Sequence, residues 1–213
     1  NYPMIGKSYH IDNLTYESEP EYGVIEISLD SVVELQKTSD EHYIYMDFLT
    51  PHEVYDKVVV IDAGHGGSDP GTSGNGLVEK EYTLKFADYL NRRFNELGAN
   101  STLVRSTDET VTPTERVNRI LNAYGNSPDV LVISNHLNAG GSSGAEVIYA
   151  LRNNDTLSKL ILENLSKEGQ SIRKAYQRRL PSDNSKDYYF IHRNTGVTEP
   201  IIIEYGFLDN KGD

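Results

Sequence analysis

Short apolar segments alternate with longer amphipathic segments from Lys57 onward, and this alternation restricts the possible fold more than any other feature of the chain. The apolar segments have the length of strands, and the segments between them have the period of helices. Strands are predicted at residues 58–61, 102–105, 130–134, 145–151 and 201–205, and helices at residues 79–97, 113–124 and 155–168. Because strands that alternate with helices form parallel sheets covered by helices, we predict an α/β fold: a three-layer αβα domain with a largely parallel, twisted sheet.

Two segments of this domain carry further local signals. Residues 112–115, Thr-Pro-Thr-Glu, form a capping box with proline at the first helical position, which marks the start of the second helix. Residues 169–187 are polar and rich in arginine, serine and aspartate. We predict that this long segment is a loop that lies over a site.

Residues 1–56 differ from the rest of the chain in charge. They contain 12 acidic and 2 basic side chains, against 20 and 18 in residues 57–213. Alternating apolar residues at 25–29 and 44–48, on either side of the polar stretch 36–41, predict a β-hairpin. We therefore expect a small acidic, β-rich N-terminal segment at residues 1–56, followed by a separate α/β domain at residues 57–213.

Composition excludes several classes of function. The chain has no cysteine, so any metal site must use histidine and carboxylate ligands. The net charge of -12 disfavours a surface that binds nucleic acid, and no apolar stretch approaches the roughly 20 residues of a membrane helix. The chain begins at Asn1, without an initiator methionine, and we expect it to be a trimmed product of a longer protein.

Three ionisable residues fall at or near the ends of predicted strands. His65 follows the first strand, His136 follows residues 130–134, and Glu204 lies near the end of the last strand. Ligands of doubly wound sheets gather at the carboxyl ends of the strands. A single histidine there is more often a hydrogen-bonded loop residue, but three such groups at one edge favour a site.

A fourth candidate lies in the first predicted helix. Glu79 projects onto the apolar stripe of this helix, and Glu81 projects onto nearly the opposite face. An inward carboxylate must be paired, protonated or coordinated, whereas a carboxylate in the first turn also interacts favourably with the helix dipole at the surface. The pattern alone leaves these two interpretations even. If Glu79 points inward, then His65, Glu79 and His136 form a zinc-ligand set and Glu204 remains as a base for metal-assisted hydrolysis of an amide or ester.

Four motifs resemble a known family in order and spacing. They are IDAGHGGSDPGTSGNGLVEKEYTL (61–84), SNHLNAG (134–140), GAEVIY (144–149) and EPIIIEYGFLDN (199–210). Residues 57–210 thereby resemble the zinc-dependent N-acetylmuramoyl-L-alanine amidases of the amidase-3 type.

The resemblance implies one Zn²⁺ bound by His65, Glu79 and His136, with Glu204 as the catalytic glutamate. It implies peptidoglycan as the substrate, cleavage of the amide between N-acetylmuramic acid and L-alanine of the stem peptide, and an extracytoplasmic location. The alternatives are a catalytically silent peptidoglycan-binding module and a zinc peptidase that acts on stem peptides.

The chain departs from the family in two places. It has Asn135 where the family usually has an aliphatic residue, and it ends at Asp213 where members commonly continue with another helix. Among the remaining polar residues, we expect Arg105 and Arg116 to support the fold by ion pairing and Asn138 to shape a turn. Glu146 is compatible with either solvent or the groove.

Overall fold

The computed structural model describes residues 9–213, which divide into two compact units. One unit runs to Asp56 and includes Phe94–Asn100, and the other consists of Lys57–Arg93 and Ser101–Asp213. The division after Asp56 lies at the change in charge along the sequence. The charge pattern does not indicate that residues 94–100 belong with the first unit.

The first unit contains two separate β-hairpins and a short helix. Its elements are β1 (Ile11–Ser18), β2 (Gly23–Leu29), β3 (Glu34–Ser39), β4 (Ile44–Leu49) and α1 (Pro51–Tyr55). β1 pairs antiparallel with β2, and β3 pairs antiparallel with β4. The single predicted hairpin, which joined residues 25–29 to residues 44–48, is therefore wrong, because most of the polar stretch between them is strand β3.

Local turns explain why each hairpin pairs within itself. The carboxylate of Asp40 accepts hydrogen bonds from the main-chain N–H groups of His42 and Tyr43, at 2.8 and 2.7 Å, and so closes the turn between β3 and β4. In the other hairpin the N–H of Glu19 donates to the carbonyl of Tyr22 at 2.8 Å. Short connections of this kind cost less chain entropy than the long connection that the predicted pairing required.

The second unit is built on a six-stranded sheet. Its strands are β5 (Val58–Ala63), β6 (Ser73–Gly74), β7 (Leu77–Val78), β8 (Asn100–Leu103), β9 (Val130–Asn138), β10 (Ala145–Tyr149), β11 (Ile172–Tyr176), β12 (Arg179–Leu180), β13 (Asp183–Asp187) and β14 (Glu199–Phe207). Its helices are α2 (Glu79–Glu96), of which the residues up to Arg93 belong to this unit, α3 (Pro113–Tyr124), α4 (Thr156–Lys167) and α5 (Phe190–Asn194). The sheet order is β11-β10-β14-β9-β5-β8, and β6–β7 and β12–β13 form separate small ribbons. β14 runs parallel to β9 and antiparallel to β10.

Helices cover both faces of this sheet. On one face, α3 and α5 pack against the sheet around a core of Val60, Val104, Ile120, Val130, Val132, Ile148, Ile191 and Ile202. Tyr205 lies three residues after Ile202 in β14 and therefore faces the other side, where its ring is 4.8 Å from that of Phe86 in α2. The three-layer, largely parallel α/β fold is confirmed.

The structure corrects the sequence prediction in two places that concern the site. Residues 169–187 are not a loop, since they contain β11, which pairs parallel with β10, and the β12–β13 ribbon. β11 is an edge strand with exposed polar side chains, so it lacks the apolar run of a central strand. In addition, His136 lies within β9 rather than after it, whereas Glu204 lies in the last part of the last strand, β14, as expected.

Among the described residues, no helix has both the length and the apolar character that crossing a membrane requires.

Candidate metal centre and catalytic site

His65, Glu79 and His136 come from three different elements. His65 follows β5 with a left-handed backbone (φ 61°), Glu79 is the first residue of α2, and His136 lies in β9. Two glycines make room for them. A Cβ added at Gly64 would lie 2.3 Å from the His136 ring, and one added at Gly71 would lie 2.5 Å from the Glu79 carboxylate. The glycine-rich sequence around His65 thus allows the main chain to approach the site closely.

The donor atoms of these three residues meet around one point. One potential ligand atom from each residue lies within 4.8 Å of the other two. Oε1 of Glu79 is 3.1 Å from Nε2 of His65 and 2.9 Å from Nδ1 of His136. Two imidazoles and one carboxylate are a ligand set that suits a catalytic zinc ion and leaves a coordination position open. The residues present therefore fit the metal that the resemblance implies.

The orientation of Glu79 answers the question that the helical pattern left open. The side chain is 4% exposed, and its carboxylate accepts hydrogen bonds from the N–H groups of Thr72 and Leu137 at 2.8 and 3.0 Å. Glu81, by contrast, is exposed. Burial opposes ionisation of Glu79, but the bonds from His136 and His65 outweigh it and hold the pKa of the carboxyl well below its usual range. A buried, ionised carboxylate at this point attracts a cation.

Asp69 supports His65 from the side away from Glu79. Its Oδ2 lies 2.9 Å from Nδ1 of His65, so Nε2 faces Glu79. Burial tends to lower the pKa of His65, but the carboxylates of Glu79 and Asp69 raise it overall. A carboxylate behind a histidine is the usual way to orient a metal-binding imidazole. Asp69 was not predicted as a site residue; the signal that the sequence offers for it is its spacing of four residues from His65.

Glu204 lies in β14, the strand next to the β9 strand that carries His136. It is paired in register with His136, and its side chain lines a cavity of about 170 Å³ that His65 and His136 also line. Its Oε2 is buried and has no hydrogen-bond partner among the described residues. Burial raises the pKa of Glu204 to about 7; His136 opposes this shift, and the carboxylates of Glu79 and Glu146 add to it. A carboxyl group with this pKa can exchange a proton near neutral pH.

Two buried arginines hold the loop that carries His65. Arg116 pairs with Asp62 and donates to the carbonyl of His65 at 2.8 Å. Arg105 instead donates to main-chain carbonyls, at 3.0 Å to Ala63 and 2.9 Å to Gly64. The expected ion pair is present for Arg116, whereas Arg105 supports the loop through hydrogen bonds to its backbone.

Asn135 and Glu146 are buried, and each has specific hydrogen-bond partners. The Asn135 amide donates to the carbonyl of Asp62 at 2.9 Å and accepts from the Tyr205 hydroxyl at 2.8 Å, on the face opposite His136. Glu146 is 2% exposed, so it does not face solvent. It binds Arg173 and accepts from the Asn138 amide at 3.2 Å.

These observations describe an α/β protein with a potential metal-ligand triad beside its central strands and a second carboxylate, with a buried oxygen, next to the triad, an arrangement suited to a hydrolase. The chain belongs to the N-acetylmuramoyl-L-alanine amidase family, whose match covers residues 59–213. Enzymes of this family hydrolyse the amide between N-acetylmuramic acid and L-alanine in peptidoglycan.

Similar proteins come from several bacteria. "Uncharacterized protein YqiI" of Bacillus subtilis (strain 168) is 33% identical over 159 residues, which are 74% of this chain and 73% of YqiI. N-acetylmuramoyl-L-alanine amidase CwlM of Bacillus licheniformis is 35% identical over 158 residues, which are 73% of this chain and 58% of CwlM. The solved structure of Cwp6 from Clostridium difficile matches with a TM-score of 0.65 and 34% identity, covering 73% of this chain and 25% of Cwp6. The matches thus cover less than two thirds of the length of CwlM and of Cwp6.

Proposed function

We propose that this chain is a peptidoglycan hydrolase that cuts the amide bond between N-acetylmuramic acid and the L-alanine of the stem peptide. We further propose that it binds one Zn²⁺ through His65, Glu79 and His136 and uses Glu204 as its catalytic residue. The observation that carries the proposal is the meeting of these three ligand atoms within 4.8 Å, next to the unpartnered carboxylate oxygen of Glu204, in a chain of this family.

The residues of the chain divide the chemistry among them. When bound, zinc supplies a Lewis acid that polarises an amide carbonyl and lowers the pKa of water to about 7. Oε2 of Glu204 takes a proton from the water that attacks the carbonyl carbon. As the carbon–nitrogen bond breaks, the same carboxyl returns this proton to the amine nitrogen of the departing L-alanine. A pKa of about 7 suits both steps.

The proposed reaction also determines where the enzyme acts. Peptidoglycan lies outside the cytoplasmic membrane, so the activity requires an extracytoplasmic location in the wall, the periplasm or the medium. Apolar side chains from Val111, Pro113 and Phe190 line the cavity beside Glu204.

The direct test is digestion of purified peptidoglycan followed by identification of the new chain ends. We expect new amino-terminal L-alanine, loss of activity with a chelator, and recovery when zinc is added back. Release of D-alanine or cleavage of a cross-bridge would instead identify a peptidase. Binding of peptidoglycan without any cleavage in the presence of zinc would identify a silent binding module.

For the N-terminal segment, residues 1–56, we propose contact with a regulatory or wall-associated protein rather than with the wall itself. Its acidic residues repel anionic wall polymers, while it exposes apolar side chains including Tyr16, Ile25 and Tyr45. Replacing Glu17, Glu19 and Glu21 with glutamine should leave wall binding unchanged or make it tighter at one fixed salt concentration. Weaker wall binding by this variant would contradict the proposal.

A further inference from the structure

A cationic segment lies at the edge of the sheet in a chain that is otherwise strongly acidic. Residues 172–180, which include β11, contain four basic side chains and no carboxylate, although the whole chain has a net charge of -12. Two of these side chains, Arg173 and Lys174, are turned toward the buried carboxylate of Glu146, at 3.8 Å for Lys174. Their charge is thus partly compensated. Arg178 differs, and its surroundings suggest a binding role.

The guanidinium of Arg178 is held in place by aromatic rings. Its central carbon lies 3.7 Å from the ring centroid of Tyr188 and 5.9 Å from that of Tyr189, and Nη1 donates to the Tyr189 hydroxyl at 3.4 Å. The carbonyl of Arg178 also accepts from the N–H of Tyr188 at 2.7 Å. Within residues 9–213, Arg178 has no ion-pair partner. Stacking restrains an arginine while its planar donor groups remain available, so less entropy is lost when an anion binds.

Tyr189 connects this arginine to the catalytic cavity. It belongs to the lining of the cavity that Glu204 and His136 also line. A substrate whose scissile amide lies beside Glu204 and that extends along Tyr189 reaches the exposed guanidinium of Arg178. Arg178 is therefore placed to bind a part of the substrate that lies away from the bond being cut.

The chemistry of the substrate indicates which of its groups Arg178 binds. This step rests on the proposed function. The lactyl carboxyl of N-acetylmuramic acid is consumed in the scissile amide, and the remaining hydroxyl and acetamido groups of the sugar are neutral. The stem peptide, in contrast, ends in a carboxylate. Arginine binds a carboxylate through two parallel hydrogen bonds, and such charge-assisted bonds are the strongest available at a surface.

We propose that Arg178, held by Tyr188 and Tyr189, binds a carboxylate of the stem peptide and so directs the peptide, rather than the glycan, toward the β11 edge of the sheet. Arg178 is then a specificity-determining residue for the leaving group and takes no part in the chemical step.

The test compares two soluble N-acetylmuramoyl peptides of the same sequence, one with free carboxyl groups and one with carboxamides beyond the first L-alanine. For the unchanged protein we expect a KM about tenfold lower for the free acid, the scale of one partly exposed charge-assisted hydrogen bond, with similar kcat. Arg178→Gln should raise KM for the acid about tenfold and leave KM for the amide unchanged, so that the discrimination disappears. Arg178→Lys should keep part of it.

Arg179→Gln is the matched control, because it removes the same charge from the neighbouring residue. The Arg179 guanidinium donates to the carbonyl of Asn184 at 2.6 Å, and Arg179 is not one of the residues that line the cavity. This variant should discriminate between the two substrates as the unchanged protein does. Equal discrimination by Arg178→Gln and the unchanged protein, or the same loss in Arg179→Gln, would overturn the proposal.

Two other outcomes are distinguishable. If Arg178→Gln weakens binding to whole walls but discriminates normally between the soluble substrates, an anionic wall polymer binds Arg178 and the proposal for the stem peptide is wrong. If the unchanged protein releases amino-terminal L-alanine from neither substrate, the proposed function itself fails, and this inference fails with it.

Discussion

Acid should destabilise the second unit through His192, a histidine that plays no part in the metal centre. His192 is completely buried in α5, and neither ring nitrogen has a hydrogen-bond partner among the described residues. Burial, together with the positive charge of Arg152, lowers its pKa from 6.5 to about 3. The folded protein therefore keeps this imidazole neutral at pH values at which the unfolded chain protonates it.

The sign and size of the effect follow from these two pKa values. Between pH 6.5 and 3 the unfolded state binds one more proton at this residue than the folded state, so the free energy of unfolding falls as the pH falls. Above pH 6.5 the contribution is fully present. Lowering the pH from 7 to 5 should remove ~2 kcal/mol through His192 alone.

The measurement uses His192→Phe, which keeps an aromatic ring beside Tyr189, whose centroid lies 5.7 Å away, but does not titrate. Urea unfolding of the metal-free proteins is followed by tyrosine circular dichroism at pH 7, 6 and 5. The difference between the two proteins isolates His192, because all other titrating groups are shared. We expect the unchanged protein to lose ~2 kcal/mol more than the variant between pH 7 and 5.

His42→Asn is the control, since His42 lies exposed in the turn of a hairpin in the first unit. This variant should show the same dependence on pH as the unchanged protein. If His192→Phe also loses stability with acid as steeply as the unchanged protein does, burial of His192 is not the cause of the acid sensitivity.

The remaining predictions concern the site and the buried polar pair behind it. Glu204→Gln should lower kcat on peptidoglycan by about 100-fold or more, which is the contribution expected of a general base. Zinc binding, measured by equilibrium dialysis, should not change. A variant that keeps a tenth of the activity would contradict the proposed role of Glu204. Asp69→Asn should weaken zinc binding by about 10- to 100-fold, because it removes the carboxylate that orients His65. The control Asp88→Asn, at an exposed position, should bind zinc as the unchanged protein does. Equal zinc affinities of the two variants would contradict the role of Asp69 in orienting His65. Asn135→Leu and Tyr205→Phe should each destabilise the fold by ~1–3 kcal/mol, because each variant leaves the partner's polar group unpaired. In urea unfolding, the double variant should be destabilised by ~1–2 kcal/mol less than the sum of the two single variants. Simple additivity would show that the 2.8 Å hydrogen bond between the two side chains contributes nothing to stability.

The central sheet and the candidate ligands follow from local patterns in the sequence. Strands such as residues 58–61 and 130–134 are buried on both faces, so each is a continuous apolar run that can be recognised without its neighbours. Glu79 could be selected because a helix repeats every 3.6 residues, and the projection of one residue onto the apolar stripe does not depend on the rest of the fold. Its inward orientation was nevertheless one of two equal interpretations until its hydrogen bonds with Thr72 and Leu137 were visible.

Patterns of this kind are weakest where the chain is exposed. β11 lies at the sheet edge and shows polar side chains to solvent, so its sequence resembles that of a loop. The strands of the first unit alternate well enough to be recognised, but alternation does not specify which strand pairs with which. The turn at Asp40 decided that pairing through hydrogen bonds to His42 and Tyr43.

By itself, the sequence determined the α/β class, most of the central strands and helices, and the residue types at the candidate metal centre. The partners of those residues required the folded chain. Asp62 and Arg116 are 54 residues apart in the sequence, and Asn135 and Tyr205 are 70 apart. Between Arg178 and Glu204 lie β12, β13, α5 and the first part of β14. Hydrophobic periodicity reports only whether a side chain is buried, whereas a hydrogen bond or a stacked ring depends on distances that exist only after distant segments have packed together.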